Sequence, residues 1–157
     1  MNKKDSLGDR MKEFYENRSK LYLPRRVPVI IRLDGKAFHT FTKGFKRPYD
    51  EILHNTMNAT MKYLCENIQG CVLGYHQSDE IRLILIDYTH LNSDAWLNYE
   101  VQKMCSISAS MATMAFNRFF TDNCREWFNG VPSFNTLWLV LFPIVALIFS
   151  CAFSSRL

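Results

Sequence analysis

Residues 27–35 read Val-Pro-Val-Ile-Ile-Arg-Leu-Asp-Gly. The β-branched residues and the length of this stretch are typical of a buried strand, and the Asp-Gly pair that follows is a turn signal. Two further strands are predicted at residues 71–77 and 81–87, joined by the short polar connection Ser78-Asp79-Glu80. The stretch therefore predicts one strand of a sheet, and a hairpin later in the chain supplies two more.

Two amphipathic helices are predicted to pack on these strands. From Asp50 to Ile68 the apolar residues recur at helical spacing, acidic residues begin the segment and Gly70 follows it. A second helix is predicted over residues 96–120, after the start signal at Asn92, Ser93 and Asp94. The order β-α-β-β-α predicts an α+β, ferredoxin-like fold that lacks only its final strand.

Residues 121–157 form an atypical hydrophobic tail, which we separate from the domain predicted at residues 1–120. From Leu137 to Phe153 the tail carries no charge, and its length is about the lower limit for a helix that spans a bilayer. A membrane anchor, a buried core segment and an ending altered by truncation or a shifted reading frame all explain this composition. The altered ending is favoured because the amphipathic pattern stops abruptly, so a membrane partner is not expected.

Charge is unevenly distributed along the chain. Residues 1–50 hold 13 Lys and Arg against 6 Asp and Glu, which indicates either a phosphate-binding surface or an ordinary solvated basic face. The five cysteines and four histidines are scattered without zinc-ligand spacing, and no apolar leader opens the sequence. We therefore expect reduced cysteines, no zinc site and a cytoplasmic location.

Carboxylates follow two of the predicted strands. Asp34 ends the first strand, and Asp79 and Glu80 lie in the hairpin connection. In a ferredoxin-like sheet these strands are neighbours, so we expect the carboxylates to meet at one edge. Like charges held together need a cation, and oxygen ligands suit Mg²⁺, often as two ions roughly 3.5–4 Å apart. Each motif alone could be only a solvated turn, but their joint placement favours a metal site.

The residues after the first strand add a possible phosphate site. A glycine turn at Gly35 can expose successive backbone N–H groups as an anion-binding nest. Four cations follow closely in the sequence and could either supply positive charge or have no role beyond the surface; they are Lys36, Lys43, Lys46 and Arg47.

Two motifs resemble those of the tRNA(His) guanylyltransferase family. The stretch from Asp34 to Phe41, Asp-Gly-Lys-Ala-Phe-His-Thr-Phe, is similar to the family's D-G-x-x-F-H-x-F signature, and residues 77–80, Gln-Ser-Asp-Glu, are similar to its Q-S-D-E signature. Residues 46–50 resemble its basic-Pro-x-Asp loop, and Lys103 stands where an early helical lysine is expected. The resemblance covers roughly residues 8–120. The sequence departs from the pattern at Arg82, where a small polar residue is expected, and at Glu100, where a basic residue is often found.

The resemblance implies a polymerase-type palm domain that adds guanosine, or templated nucleotides, to the 5′ end of tRNA in the 3′→5′ direction. A nucleoside triphosphate would activate the tRNA 5′-monophosphate, and the 3′-hydroxyl of GTP would then attack, so GTP and ATP are the implied substrates. The implied partners are the 5′ end and acceptor stem of tRNA. In the family, further copies of the chain form a homo-oligomer.

The same resemblance assigns roles to individual residues. Asp34 and Asp79 would bind Mg²⁺ through their side chains and Gly35 through its carbonyl, with Glu80 as a third catalytic residue that supports the metal site. Nucleotide binding would involve these three metal-binding residues and also Lys36, Ala37, Phe38, His39, Ser78, Arg47 and Lys103.

The region after Phe120 leaves three functional hypotheses open. The family continues there into a final strand and a helical segment that helps to bind tRNA and to build the oligomer, and we expect neither in residues 121–157. The chain is then an active nucleotidyltransferase, a catalytically impaired truncated palm that only binds nucleotide or RNA, or a tail-anchored membrane protein.

Overall fold

A computed structural model of the chain describes residues 6–129 and 149–154, with side chains described for residues 7–126. The strands are β1 (Val29–Gly35), β2 (Cys71–Gln77), β3 (Glu80–Leu85) and β4 (Phe149–Ser154). The α-helices are α1 (Ser6–Met11), α2 (Phe38–Phe41), α3 (Glu51–Asn67) and α4 (Val101–Asn129). A π-helical turn, Lys12–Glu16, continues α1, and a 3₁₀ turn, Trp96–Tyr99, precedes α4.

The strands form one antiparallel sheet in the order β2-β3-β1-β4. Residues alternate across the sheet, because successive side chains of a strand point to opposite faces. One face packs against α3 and α4 and forms the core, where the strands contribute five side chains with no or almost no exposure: Ile31, Leu33, Ile81, Leu83 and Leu85. The helices complete this core with Met57, Leu64, Met104, Ala112 and Phe116.

The other face of the sheet, here called the open face, is more polar. Its first cross-strand row contains Gln77, Glu80 and Asp34, and its second contains Tyr75, Arg82 and Arg32. The third row is apolar and consists of Leu73, Ile84 and Ile30. The two faces of the sheet therefore differ, and among the described side chains of β1, β2 and β3 the acidic and arginine residues lie on the open face.

The expectation that the sheet lacks its final strand is wrong. The backbone of Phe149–Ser154 pairs antiparallel with β1, from Ile30 opposite Ser154 to Gly35 opposite Phe149. The pairing satisfies the outer backbone groups of β1, which would otherwise be left exposed along an unpaired strand edge. The strand was not predicted because it lies inside an almost continuously apolar run that shows no period of two.

The second predicted helix also ends later than expected. It runs from Val101 to Asn129 rather than stopping near residue 120. Residues 130–148, which hold most of the apolar run at 137–153, lie outside the described residues. The three explanations of that run, a membrane anchor, a buried core segment and an altered ending, therefore fall mostly on residues that are not described. No helix among the described residues combines the length and the apolarity that a membrane crossing requires.

Helix α3 begins at a cap that also fixes the loop before it. The Asp50 carboxylate accepts a hydrogen bond from the backbone N–H of Leu53 at 3.1 Å, as expected for an N-cap. Its second oxygen accepts from the backbone N–H of Lys46 at 3.2 Å. One side chain therefore joins the first turn of α3 to the basic loop at residues 43–49.

Candidate metal and nucleotide site

The end of the sheet that carries the Ser78-Asp79 turn, here called the turn end, brings the predicted carboxylates together. Asp34 is the register partner of Glu80. The backbone N–H of Gly35 donates to the carbonyl of Asp79 at 3.2 Å, so the pairing of β1 with β3 continues into the turn. Asp34 thus lies directly opposite Glu80, which is 46 positions later in the sequence, and Asp79 is the turn residue that precedes Glu80.

Arginines on the open face hold two of these carboxylates. One terminal nitrogen of Arg32 lies 3.2 Å from Asp34 Oδ2 and 2.7 Å from Glu80 Oε2. The Nε of Arg82 donates to the other oxygen of Glu80. Partial burial alone would raise the pKa of Glu80, but the hydrogen bonds and charges of Arg32 and Arg82 outweigh it and lower that pKa below its ordinary value. Glu80 is therefore ionised and fixed in place.

The carboxylate of Asp79, unlike that of Glu80, is not held by an arginine of the described residues. Within the described part of the chain, its carboxylate has neither a hydrogen-bond partner nor an ion-pair partner, and only one oxygen of Asp34 has one. No group of three or more His, Cys, Asp or Glu side chains with a metal-binding arrangement occurs among the described residues. An ion at the turn end would therefore depend on the two aspartates and on main-chain, water and substrate oxygens. This set is one that Mg²⁺ accepts, since it commonly uses one or two carboxylates and keeps other oxygens.

The loop after β1 exposes backbone donors. Ala37 has a left-handed backbone, with φ of 59°, and the chain then enters the single turn of α2. The backbone N–H groups of Lys36, Ala37 and His39 make no hydrogen bond to other described residues, and all three residues are exposed. These groups are available to an anion, as the predicted nest requires. Phe38 differs from them because its side chain is buried, so it could contact a ligand only through its main chain.

An aromatic cluster, defined here as Phe38, Phe41, Phe45, Phe116 and Phe120, attaches this loop to α4. The Phe38 and Phe116 rings meet edge to face with centroids 5.4 Å apart, and the Phe41 and Phe120 rings do so at 5.3 Å. Such pairs add to the stability gained from burial. Phe116 and Phe120 were not among the residues predicted to contribute to the site. The signal was their spacing, since Met104, Ser108, Ala112 and Phe116 follow each other at intervals of four residues.

The two predicted basic contacts lie in different places. Arg47 is exposed in the loop between α2 and α3, next to the aromatic cluster. Lys103 lies in the first turn of α4, where its Nζ is 2.9 Å from the buried carboxylate of Glu100. Thirteen residues of helix, or about 20 Å at 1.5 Å per residue, separate Lys103 from Phe116. The structure therefore does not bring Lys103 to the turn end with the other predicted residues.

A histidine pair beside the turn was not predicted. His76 lies on β2 two residues before Ser78, and its Nε2 is 2.9 Å from Asn58 Oδ1. The amide nitrogen of Asn58 is in turn 2.8 Å from His54 Nε2, and the two imidazole centroids are 5.1 Å apart. Burial and the nearby His54 lower the pKa of His76. The residues come from separate elements, so spacing in the sequence gave no signal for this contact.

Comparison with known proteins agrees with the motifs. The sequence profile of the tRNAHis guanylyltransferase family matches residues 8–142, beyond the limit near residue 120 expected from the motifs alone. A bacterial tRNA(His) guanylyltransferase-like protein solved in complex with ATP is similar to 95% of the chain, with 40% identity and a TM-score of 0.73. A bacterial tRNA(His) guanylyltransferase-like protein solved in complex with GTP also covers 95% of the chain, with 41% identity and a TM-score of 0.72.

These relatives are longer than the chain. The tRNA(His) guanylyltransferase of Schizosaccharomyces pombe is 36% identical over 92 residues, which are 56% of this chain and 33% of that enzyme. The matched regions of the two bacterial structures are 57% and 63% of their chains. The chain therefore corresponds to only part of the relatives that it matches.

Proposed function

The chain belongs to the tRNAHis guanylyltransferase family, and from that membership we propose that it is a Mg²⁺-dependent nucleotidyltransferase that acts on the 5′ end of tRNA. The reaction is the addition of guanosine, or of templated nucleotides, in the 3′→5′ direction, with ATP and GTP as substrates. Its centre is the turn end of a polymerase-type palm. The observation that supports the proposal is the hydrogen bond from the backbone N–H of Gly35 to the carbonyl of Asp79, which makes Asp79 the backbone neighbour of the residue that follows Asp34.

Asp34, Asp79 and the Gly35 carbonyl are the proposed ligands of Mg²⁺. The oxygen donors of this set are suited to it, as is the carboxylate of Asp79, which has no partner among the described residues. Bound Mg²⁺ would neutralise triphosphate charge and would lower the pKa of an attacking hydroxyl. Glu80 is the third proposed catalytic residue, and Arg32 and Arg82 keep it ionised and in a fixed orientation beside Asp34.

The loop after β1 is the proposed triphosphate site. The N–H groups of Lys36, Ala37 and His39 would donate to phosphate oxygens, and the Phe38 main chain and the exposed Ser78 hydroxyl would contribute further contacts. The buried Phe38 side chain, which packs against Phe116, would restrict the conformations of this loop. Binding of a triphosphate would then cost little loop entropy. Arg47 is proposed to contact a tRNA phosphate near the triphosphate site. Lys103 is proposed to contact a tRNA phosphate at a distance from that site.

Transfer to labelled RNA tests the proposal. Purified protein is incubated with 5′-labelled tRNA, ATP, GTP and Mg²⁺, and Asp79→Asn is compared with the control Asp122→Asn, an exposed position on α4. We expect extension by the wild-type protein and the control, and none by Asp79→Asn or in EDTA. Extension by Asp79→Asn at the wild-type rate would contradict the proposed centre.

A binding protein without transfer activity is the second candidate. It is supported by the two bacterial relatives that were solved in complex with ATP and with GTP. Equilibrium binding of GTP with Mg²⁺, lost in Asp79→Asn, together with no extension of any tRNA, would identify this function. Fusion of this chain to the part of a relative that it does not match should then restore transfer, if the aspartates are correctly placed.

A further inference from the structure

We propose that the open face of the sheet binds an unpaired strand of RNA, with Tyr75 stacking on a base and with Arg82 and Arg32 contacting the phosphates. The choice of RNA as the ligand rests on the proposed function. The surface adjoins the turn-end carboxylates, because Arg32 and Arg82 both pair with Glu80, and it does not include the loop after β1.

The three side chains form a continuous row across the sheet. Arg82 on β3 is the register partner of Tyr75 on β2 and of Arg32 on β1. Neighbouring strands lie about 4.8 Å apart, so the row is about 10 Å wide. Tyr75 is 51% exposed, and the side chains of Arg82 and Arg32 are 53% and 46% exposed. None of the described helices covers this row, because α3 and α4 pack on the opposite face.

The row offers N–H donors to an anion in addition to the carboxylates of Asp34 and Glu80, which already offset the charges of the two arginines. Like charges directly opposite each other in a sheet are destabilising, and here two arginines face each other. The Glu80 carboxylate between them is shared by both guanidinium groups. A guanidinium has five N–H donors. Of the three nitrogens of Arg82, only Nε has a partner in the described part of the chain. The remaining donors point to a phosphate oxygen as a second acceptor.

Tyr75 specifies a base rather than a free phosphate. A tyrosine on a flat sheet face presents a ring on which an unstacked base can stack, and this is the way in which four-stranded sheets recognise single-stranded RNA. The Tyr75 hydroxyl is 3.1 Å from Gln77 Oε1, which holds the side chain against the sheet. Because bases inside a duplex are already stacked, the surface favours an unpaired strand over double-stranded RNA.

The position of the row relates it to the turn end. Asp34 and Glu80 lie two residues along the same strands from Arg32 and Arg82, which is about 7 Å. A strand that lies across the row would therefore end close to the proposed metal site. Arg82, which departs from the family pattern, gives this chain a phosphate contact at that position.

Fluorescence anisotropy with a short fluorescein-labelled single-stranded RNA, in EDTA and without nucleotide, tests the surface. The variants are Tyr75→Ala, Tyr75→Phe and Arg82→Gln. The controls are Tyr88→Ala, an equally polar ring that is 42% exposed just beyond β3, and Lys62→Gln on α3, on the other side of the sheet. Thermal melting of each variant verifies that it is folded.

We expect Tyr75→Ala to weaken binding about 5- to 150-fold, the range that stacking of one base provides. Tyr75→Phe keeps the ring and should bind nearly as the wild-type protein does. Arg82→Gln should reduce the slope of log K against log salt by about 0.7, the value for one phosphate contact on a single strand. Both controls should be unchanged, and a duplex of the same sequence should bind more weakly and without dependence on Tyr75.

Wild-type affinity in both Tyr75→Ala and Arg82→Gln would overturn the inference, and so would equal loss in Tyr75→Ala and Tyr88→Ala. The assay contains no metal, so its result is independent of catalysis. RNA binding that depends on the row, in a protein that transfers no nucleotide, would remove the proposed function and leave this inference standing. Nucleotide transfer by a protein whose RNA binding does not depend on the row would support the proposed function and remove this inference.

Discussion

The ring of Phe38 occupies the space in which a side chain at Gly35 would lie. A Cβ added to Gly35 would be 2.0 Å from Cδ2 and 2.2 Å from Cε2 of Phe38, far inside any van der Waals contact. The backbone of Gly35 has no left-handed angle that demands glycine, so the requirement is the close approach of the ring. The Asp-Gly pair at the end of β1 thus serves packing as well as the turn.

Gly35→Ala should destabilise the protein by about 1–3 kcal/mol, the usual cost of overpacking a well-packed site. The destabilisation should be smaller in a Phe38→Leu background, because the shorter side chain leaves room for the methyl group. Denaturant unfolding of the two single variants and the double variant measures this coupling. The same cost of Gly35→Ala in both backgrounds would show that the ring is not the obstacle.

Phe116→Ala should remove about 3–5 kcal/mol from the free energy of unfolding, as expected when a fully buried aromatic side chain is truncated. The loop after β1 should lose its support at the same time, so GTP binding should also weaken. Met114→Ala, at a 58% exposed position on the same helix, is the matched control and should stay within about 0.5 kcal/mol of the wild-type protein. Equal effects of the two substitutions would contradict the aromatic cluster as the anchor of the loop.

Stability should fall as the pH is lowered through the range in which His76 titrates. Burial and then the neighbouring His54 lower the pKa of His76 in the folded protein. The unfolded chain therefore takes up the proton first, below a pH of about 6.5, and stabilisation that is present above that value is lost towards the lower folded pKa. Urea unfolding at several pH values, for the wild-type protein and His76→Gln, should show a shallower pH dependence in the variant. Parallel curves would exclude His76 as a source of the effect.

Lys103→Gln should leave the affinity for GTP with Mg²⁺ unchanged. Lys103 pairs with Glu100 at the start of α4, far from the loop after β1. Isothermal titration with GTP compares this variant with Asp79→Asn, which should lose binding. A loss in Lys103→Gln as large as that in Asp79→Asn would require Lys103 to reach the triphosphate, against its placement here.

Much of the fold could be predicted because each central element carries its own local pattern. The strand predicted at residues 71–77 coincides with β2, and the helix from Asp50 agrees with α3 within a residue or two. Local patterns failed where tertiary pairing decides the structure. β4 forms on the edge of β1 from the end of a long apolar run, and the single turn of α2 depends on the burial of Phe38 rather than on helix propensity.

The candidate site divides in the same way. Asp34, Asp79 and Glu80 could be predicted because a hairpin turn and a strand end are recognisable from the sequence, and topology then makes them neighbours. The Arg32 and Arg82 contacts with Glu80 could not, because they depend on the register of β1 with β3. The His54 and His76 contact depends on how α3 packs on β2, which no motif encodes.

Asp50 has a consequence that reaches beyond the start of α3. Its two carboxylate oxygens serve the helix and the backbone of Lys46 at once, so fraying of the first helical turn and loosening of the basic loop are one event. Solvent exchange of the amide hydrogens of Lys46 and Leu53 should accordingly proceed at linked rates. A ligand that restrains the basic loop would also slow amide hydrogen exchange in the first turn of α3.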